Sequence, residues 1–239
     1  MRHLAFLILL LGLVTGQAQS LPYTQRLYCN LSLDYWRTRP IGSAYLDTVK
    51  RLAEGTCWAV EAKGQPLLIT AAHNLGLGPN FIPVAPPRAK LLATHVDPIV
   101  GLLGQPLSAV GMPPGNSDWV GLRPVDATVF KGSQVLTLSK TAPKLGDSVT
   151  VIGFPDTAHE QRTTRTITAL SPNNEFAVFN EPLEPGYSGG VVLNAKNQAV
   201  GVVVTTDKKQ SNALLLSPEK LVTLQWQPFE QLRHRRLEQ

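Results

Sequence analysis

The chain has 239 residues, 43% of them hydrophobic and 16% charged, with a net charge of +5. That length allows one large domain or two small ones with real cores. Much of the basic excess falls in the tail QLRHRRLEQ, so the charge balance argues against a nucleic-acid surface, and the tail reads as a solvated helix end.

The chain opens with MRHLAFLILLLGLVTGQAQS. A short n-region with Arg2 and His3 precedes an apolar core from Leu4 to Val14, and the small residues Gly16 and Ala18 follow. This order predicts a secretory signal peptide cut after Ala18. The apolar core is too short for a membrane span, which needs roughly 20 residues, and no other stretch approaches that length. The mature protein, about 221 residues with a charge of +4 once Arg2 is lost, is therefore expected to be exported, with no membrane partner after cleavage. Neither cysteine stands where a bacterial lipoprotein carries its lipid.

Cys29 and Cys57 are the only cysteines. In an exported protein an even pair predicts a disulfide, which would stabilise the fold by roughly 3 to 4 kcal/mol. Two isolated cysteines lack ligand spacing, so no metal site is expected. So few cysteines argue for a bacterial exported protein over a disulfide-dense animal secreted one.

Short runs rich in Val, Leu, Ile and Thr follow in order: CWAVEA, PLLITA, AKLLATHV, SVTVIGF, TRTITAL, EFAVFN, GVVLN and AVGVVVTT. Gly, Pro, Asn and Asp separate them, which predicts an all-β sandwich or barrel. SKTAPKLGD, residues 139–147, reads as a linker between two β halves. The last element predicts a helix, with Ser217 as N-cap, Pro218 at the first position and Glu219 in the first turn before LVTLQW.

EPGYSGGVVL, residues 184–193, crowds Gly186, Ser188, Gly189 and Gly190 just before a strand. Glycines at that density mark a special backbone conformation or a close approach. G-x-S-x-G also describes the nucleophile elbow of α/β-hydrolases, whose chain order is Ser, acid, His. After Ser188 the only aspartate is Asp207 and the only histidine is His234, in the basic tail, and alternating helices are missing upstream. The opposite order, His then Asp then Ser, belongs to the chymotrypsin-type double barrel. LLITAAHN, residues 67–74, presents His73 at the end of a strand, whereas His95 sits mid-strand, His159 in a polar loop and His234 in the tail.

With TAAH and GYSGG in hand, the chain resembles a chymotrypsin-fold (trypsin-like) serine peptidase. It is most similar to the bacterial exported branch that holds the high-temperature-requirement proteases and glutamyl endopeptidases. LGDSVTVIGFP, residues 145–155, resembles the first strand of that family's second barrel, and NAKNQAVGVV, residues 194–203, resembles the hairpin after its nucleophile. The resemblance runs from about Thr56 onward and leaves residues 19–55 unassigned. It implies two six-stranded antiparallel β-barrels with a short C-terminal helix. The expected order is a signal peptide at 1–18, an N-terminal extension at 19–55, and a first barrel carrying His and Asp at 56–138. The linker and second barrel with the Ser occupy 139–216, and the helix and basic tail 217–239.

SAVGMPPGNSDWVGLRP, residues 108–124, resembles the family's strand, polar loop and Asp-initiated strand, which selects Asp118 as the acid. Asp126, in DATVFK, competes, although it lies close to the next strand, VLTLS. Gly121, where the family has a larger apolar residue, departs from the pattern. The resemblance implies a catalytic triad of His73, Asp118 and Ser188, an oxyanion hole from the amides of Gly186 and Ser188, and a pocket walled by Val204, Thr205 and Thr206. No cofactor is implied, and the partner is a polypeptide substrate.

Digestive relatives carry an aspartate just before the nucleophile to pair with a new N-terminal amine. Here that residue is Tyr187, so no such activation is expected. β-branched Thr206 narrows the pocket. Pro182 stands where an aspartate would favour Arg or Lys, so small aliphatic residues are the expected preference. Two rivals remain on the same fold. One is a catalytically silent binding module, although no triad residue is lost, and the other is an esterase-like hydrolase.

Overall fold

The computed structural model describes residues 23–236 apart from 82, 84–85, 87, 101–105, 116, 127–129, 131–134, 156–158 and 207–209. The signal peptide expected at 1–18 lies outside the described residues. Strands dominate, as the alternating runs predict.

In chain order the first group is β1 (Thr24–Thr38), β2 (Ala44–Ala62), β3 (Gln65–Ala71), β4 (Ala89–Val100), β5 (Leu107–Met112) and β6 (Trp119–Pro124). The second is β7 (Ser148–Gly153), β8 (Gln161–Leu170), β9 (Phe176–Phe179), β10 (Val191–Leu193), β11 (Ala199–Thr206) and β12 (Ser211–Leu215). The chain then runs through α1 (Pro218–Val222), β13 (Gln225–Pro228), α2 (Phe229–Arg233) and β14 (His234–Arg236).

Strands β7 to β12 close into a six-stranded barrel. The first unit differs from a six-stranded barrel. It is an eight-stranded curled sheet in the order β13-β5-β6-β3-β2-β1-β4-β14, with the last two strands of the chain at its two edges.

Residues 24–55, left unassigned from the sequence, supply β1 and most of β2, paired antiparallel in continuous register from Thr24↔Trp58 to Thr38↔Ala44. β1 obeys a period of two, with Leu27, Cys29, Leu31, Leu33 and Tyr35 all buried. β2 is buried continuously from Cys57 to Val60 because both its faces are covered. Cys57 and Ala59 turn into the core of the first sheet, while Trp58 and Val60 meet Ile152, Val191 and Val202 of the second barrel in a shared core. A third core, with Val151, Ile167 and Val203, fills the closed barrel.

The expected disulfide does not form. Cys29 stands opposite Ala53, and Cys57 stands opposite Gln25. The two positions are four residues apart along one hairpin, about 13 Å at the usual rise of a strand. A bridge needs Cα atoms within about 7 Å. Both are free, buried thiols, and burial pushes each up to about 12, so neither is a reactive thiolate near neutral pH.

The terminal helix begins where the sequence places it but is only one turn long. Pro218 opens it, and Ser217 precedes it in an extended conformation without a side-chain cap. After Thr223 the chain extends and pairs with β5 through Gln225↔Met112 and Pro228↔Ala109. The five residues of α2 turn it again, and the basic tail pairs with β4 as β14, with His234 opposite His95. A strand edge thus replaces the expected solvated helix end.

This return explains the unusual glycine at 121. Gly111 and Gly121 face each other across β5 and β6, and the Trp226 ring lies directly over both. A Cβ at Gly121 would come within 2.8 Å of the Leu224 side chain, and one at Gly111 within 3.0 Å of the Trp226 ring. The Arg123 guanidinium stacks 3.9 Å from the centre of the same ring. Leu224 and Trp226 fill the space over these two glycines.

Candidate active site

His73 sits where β3 ends. The strand delivers Ala71, and a single 3-10 turn, Ala72–Leu75, carries His73 out of the sheet. Gly76, in the left-handed region at φ 68°, closes that turn, its N–H donating to the His73 carbonyl at 3.0 Å.

Asp118 immediately precedes β6, the neighbour of β3. Its carbonyl accepts the Ala72 N–H at 3.2 Å, and its side chain is buried, 3% exposed. The two carboxylate oxygens divide their work. Oδ1 accepts the backbone N–H of His73 at 2.9 Å, and Oδ2 meets His73 Nδ1 at 2.7 Å. An ionised carboxylate only accepts, so Nδ1 carries the proton and Nε2 is left as the basic nitrogen. Asp126, the competing acid, lies exposed, one residue beyond the Val125 that ends the β6 excursion.

Ser188 lies at the seam of the two units. Its carbonyl accepts two hydrogen bonds from the first sheet, the Thr56 N–H at 2.8 Å and Asn74 Nδ2 at 3.0 Å. Asn74 follows His73 directly, so the turn that presents the imidazole also holds the serine backbone. Asn74 Nδ2 also reaches Thr70 Oγ1 at 3.2 Å, whose hydroxyl donates to the Thr56 carbonyl at 2.7 Å. The Thr56 hydroxyl donates to the Gly186 carbonyl at 2.8 Å and accepts the Phe154 N–H at 3.1 Å. Thr56 and Asn74 therefore fix both ends of Gly186–Ser188 from the opposite unit. The bonds among Thr56, Thr70, Asn74, Gly186 and Ser188 are buried, where a lost partner costs about 1–3 kcal/mol.

Gly55 makes this approach possible. A Cβ there would overlap the Asn74 amide and lie 2.8 Å from the Ser188 carbonyl oxygen. Nothing local in the sequence singles out Gly55, Thr56 or Asn74. Their roles arise from the pairing of two units and leave no local pattern.

The glycine cluster behaves as its density implies. Gly186 takes φ 94°, and a Cβ on it would overlap the Phe154 carbonyl and lie 2.8 Å from Pro155 Cα. The Gly189 N–H donates to the Val203 carbonyl at 2.7 Å, and the Val203 N–H returns to the Gly190 carbonyl at 2.9 Å, so β11 passes directly behind the serine. Tyr187 is buried in the core of the closed barrel, where burial raises its phenol above the ordinary range.

The pocket residues fare differently. Val204 points into the core shared by the two units and is 2% exposed, so its side chain does not wall an open pocket. Thr205 and Thr206 end β11, and their side chains lie outside the described residues. His95 stands apart from this site. His95 Nε2 pairs with Asp34 at 2.8 Å on the face of β4.

Residues 55–202 match the trypsin-like peptidase domain family. Three solved structures share the fold. The serine endoprotease from Yersinia pestis is 19% identical with a TM-score of 0.50, over 89% of this chain and 63% of that one. The Rv3671c protease from M. tuberculosis, in its active form, is 17% identical with a TM-score of 0.52, over 84% of this chain and 80% of that one. The HtrA-type protease AlgW, with a decapeptide, is 18% identical with a TM-score of 0.51, over 81% of this chain and 61% of that one. This chain thus spans less than two thirds of the first and third of these proteins. With the family match covering well over half its length, and a closed barrel joined to a curled sheet around His73, Asp118 and Ser188, the chain belongs to the trypsin-like peptidase family.

Proposed function

We propose that the protein is an exported serine endopeptidase that cleaves polypeptides through an acyl-enzyme. One observation carries this reading. Both oxygens of a buried Asp118 engage His73, one through its backbone and one through its ring, on the same turn that holds the Ser188 carbonyl.

Ser188 Oγ is the nucleophile, a poor one until His73 Nε2 accepts its proton. Attack on the scissile carbonyl gives a tetrahedral oxyanion, which the N–H groups of Gly186 and Ser188 stabilise. Each such donor is worth about 3 to 4 kcal/mol. The imidazolium, held by Asp118, returns its proton to the leaving amine as the carbon–nitrogen bond breaks, leaving Ser188 acylated. Water, deprotonated by the same Nε2, hydrolyses that ester. No cofactor enters the cycle.

The β11 backbone around Val204, Thr205 and Thr206 aligns the substrate, and small aliphatic residues precede the cleaved bond. Leader removal after Ala18 places the enzyme in a periplasm or outside the cell, and the mass of the exported form should correspond to a chain starting at Gln19. A mature protein that retains residues 1–18 would overturn the export reading.

Labelling of the purified protein by a fluorophosphonate probe tests the chemistry. The wild type is expected to label, Ser188→Ala not at all, and His73→Ala only weakly. A peptide ending in Ala at the cleaved bond should turn over faster than its Arg counterpart, with the matched ester confirming acyl transfer. Folded wild type that stays unlabelled and cleaves neither substrate would assign the chain to a silent binding module instead.

A further inference from the structure

We propose that Asn80 is a positioning residue for the His73–Asp118 pair, holding the carboxylate in the plane that the imidazole requires. The proposal rests on the reading of the site as a Ser-His-Asp centre.

Asn80 lies on the loop that follows the 3-10 turn, exposed to solvent above the buried Asp118. Its Nδ2 is 2.7 Å from Asp118 Oδ2, the same oxygen that meets His73 Nδ1 at 2.7 Å. The orientation of the amide follows from chemistry. A carboxylate already accepting from an imidazole N–H has no proton to offer, so the amide must turn its nitrogen, not its oxygen, toward Oδ2. The His73 backbone N–H occupies Oδ1 at 2.9 Å.

Three N–H groups therefore hold one carboxylate, one on Oδ1 and two on Oδ2. The terminal torsion of an aspartate is soft. Without the Asn80 amide, the carboxylate would twist about Oδ1, where the His73 backbone N–H anchors it, and carry the ring with it. The Asn80 amide opposes that twist from the solvent side and covers Oδ2, where charge-assisted bonds are shorter and stronger than neutral ones. The loop can press this close because Gly78, at φ 76°, has no side chain. A Cβ there would stand 2.8 Å from Asp118 Oδ1.

The test compares Asn80→Ala and Asn80→Asp with the wild type in kcat, KM, thermal midpoint and the low-field proton resonance of His73 Nδ1–H. Asn80→Asp keeps the shape of the side chain but replaces the donor with an oxygen that repels Asp118. Loss of a hydrogen bond to a charged group predicts a fall in kcat of about tenfold or more for Asn80→Ala. A larger fall is expected for Asn80→Asp, with KM and thermal midpoint unchanged and the low-field resonance displaced in both. Unchanged kcat in both variants would overturn the proposal, as would a kcat loss that tracks a lowered midpoint while the resonance stays in place. The two readings fail separately. A wild type unreactive to the fluorophosphonate removes the centre itself and this proposal with it, whereas a reactive wild type matched in kcat by both variants removes the role of Asn80 alone.

Discussion

Asp118→Asn is expected to lower kcat by about ten-thousandfold while leaving the fold intact. The hydrogen bonds around the carboxylate determine why. The His73 backbone N–H donates to Oδ1, so the new amide must place its oxygen there and its nitrogen at Oδ2. That nitrogen would donate to His73 Nδ1, forcing the ring proton onto Nε2, which could then no longer accept a proton from serine. It would also confront the Asn80 amide nitrogen, now donor against donor across 2.7 Å. The substitution changes no volume, so circular dichroism and the denaturation midpoint should match the wild type. Ester hydrolysis within tenfold of the wild-type rate would mean that Asp118 does not set the tautomer.

The largest loss of stability is expected from Gly189→Ala. Gly189 lies at φ 83°, where a side chain costs about 1–2 kcal/mol. The greater cost comes from space. A Cβ would overlap the Thr56 carbonyl, a backbone atom of the opposite unit, and stand 2.9 Å from Asn74 Nδ2. Neither can move without parting the bonds that join Thr56 and Asn74 to Ser188. Strain, two broken buried hydrogen bonds and loosened packing together place the loss above about 4 kcal/mol. Urea titration measures it, and fluorophosphonate labelling should vanish alongside. A midpoint near that of the wild type would show that the seam yields more easily than its geometry implies.

The nucleophile loop and the histidine turn were legible because their chemistry demands residues in sequence proximity. GYSGG compresses the hole, the serine and the close-packed backbone into five residues, and TAAH joins a strand to its turn. The acid is different. Asp118 needs only to begin a strand beside β3, so its surroundings distinguish it weakly from Asp126, and only the pairing of β3 with β6 brings it under His73. Asn80 and Asn74 reach their partners through the path of a loop and the meeting of two units, neither of which leaves a periodic signal. β1 was readable in principle, since Leu27 to Tyr35 alternate strictly, but nothing in that segment resembles the family. β13 is four residues long, too short for alternation to register. The disulfide failed for a physical reason that cysteine counting cannot see, namely a hairpin register that separates the two thiols.

The two edges of the first sheet are completed by β13 and β14, residues that emerge from the ribosome only after the whole closed barrel. The first half of the chain therefore cannot reach its final structure while the second is being made. Until Trp226 arrives, the small-residue floor of Gly111 and Gly121 stays open, and β5 and β4 stand as bare edges able to recruit other chains. Contacts that span more than a hundred residues also make for slow folding. The order of synthesis and the order of assembly thus run in opposite directions, and the interval between them is when the chain is most exposed to aggregation.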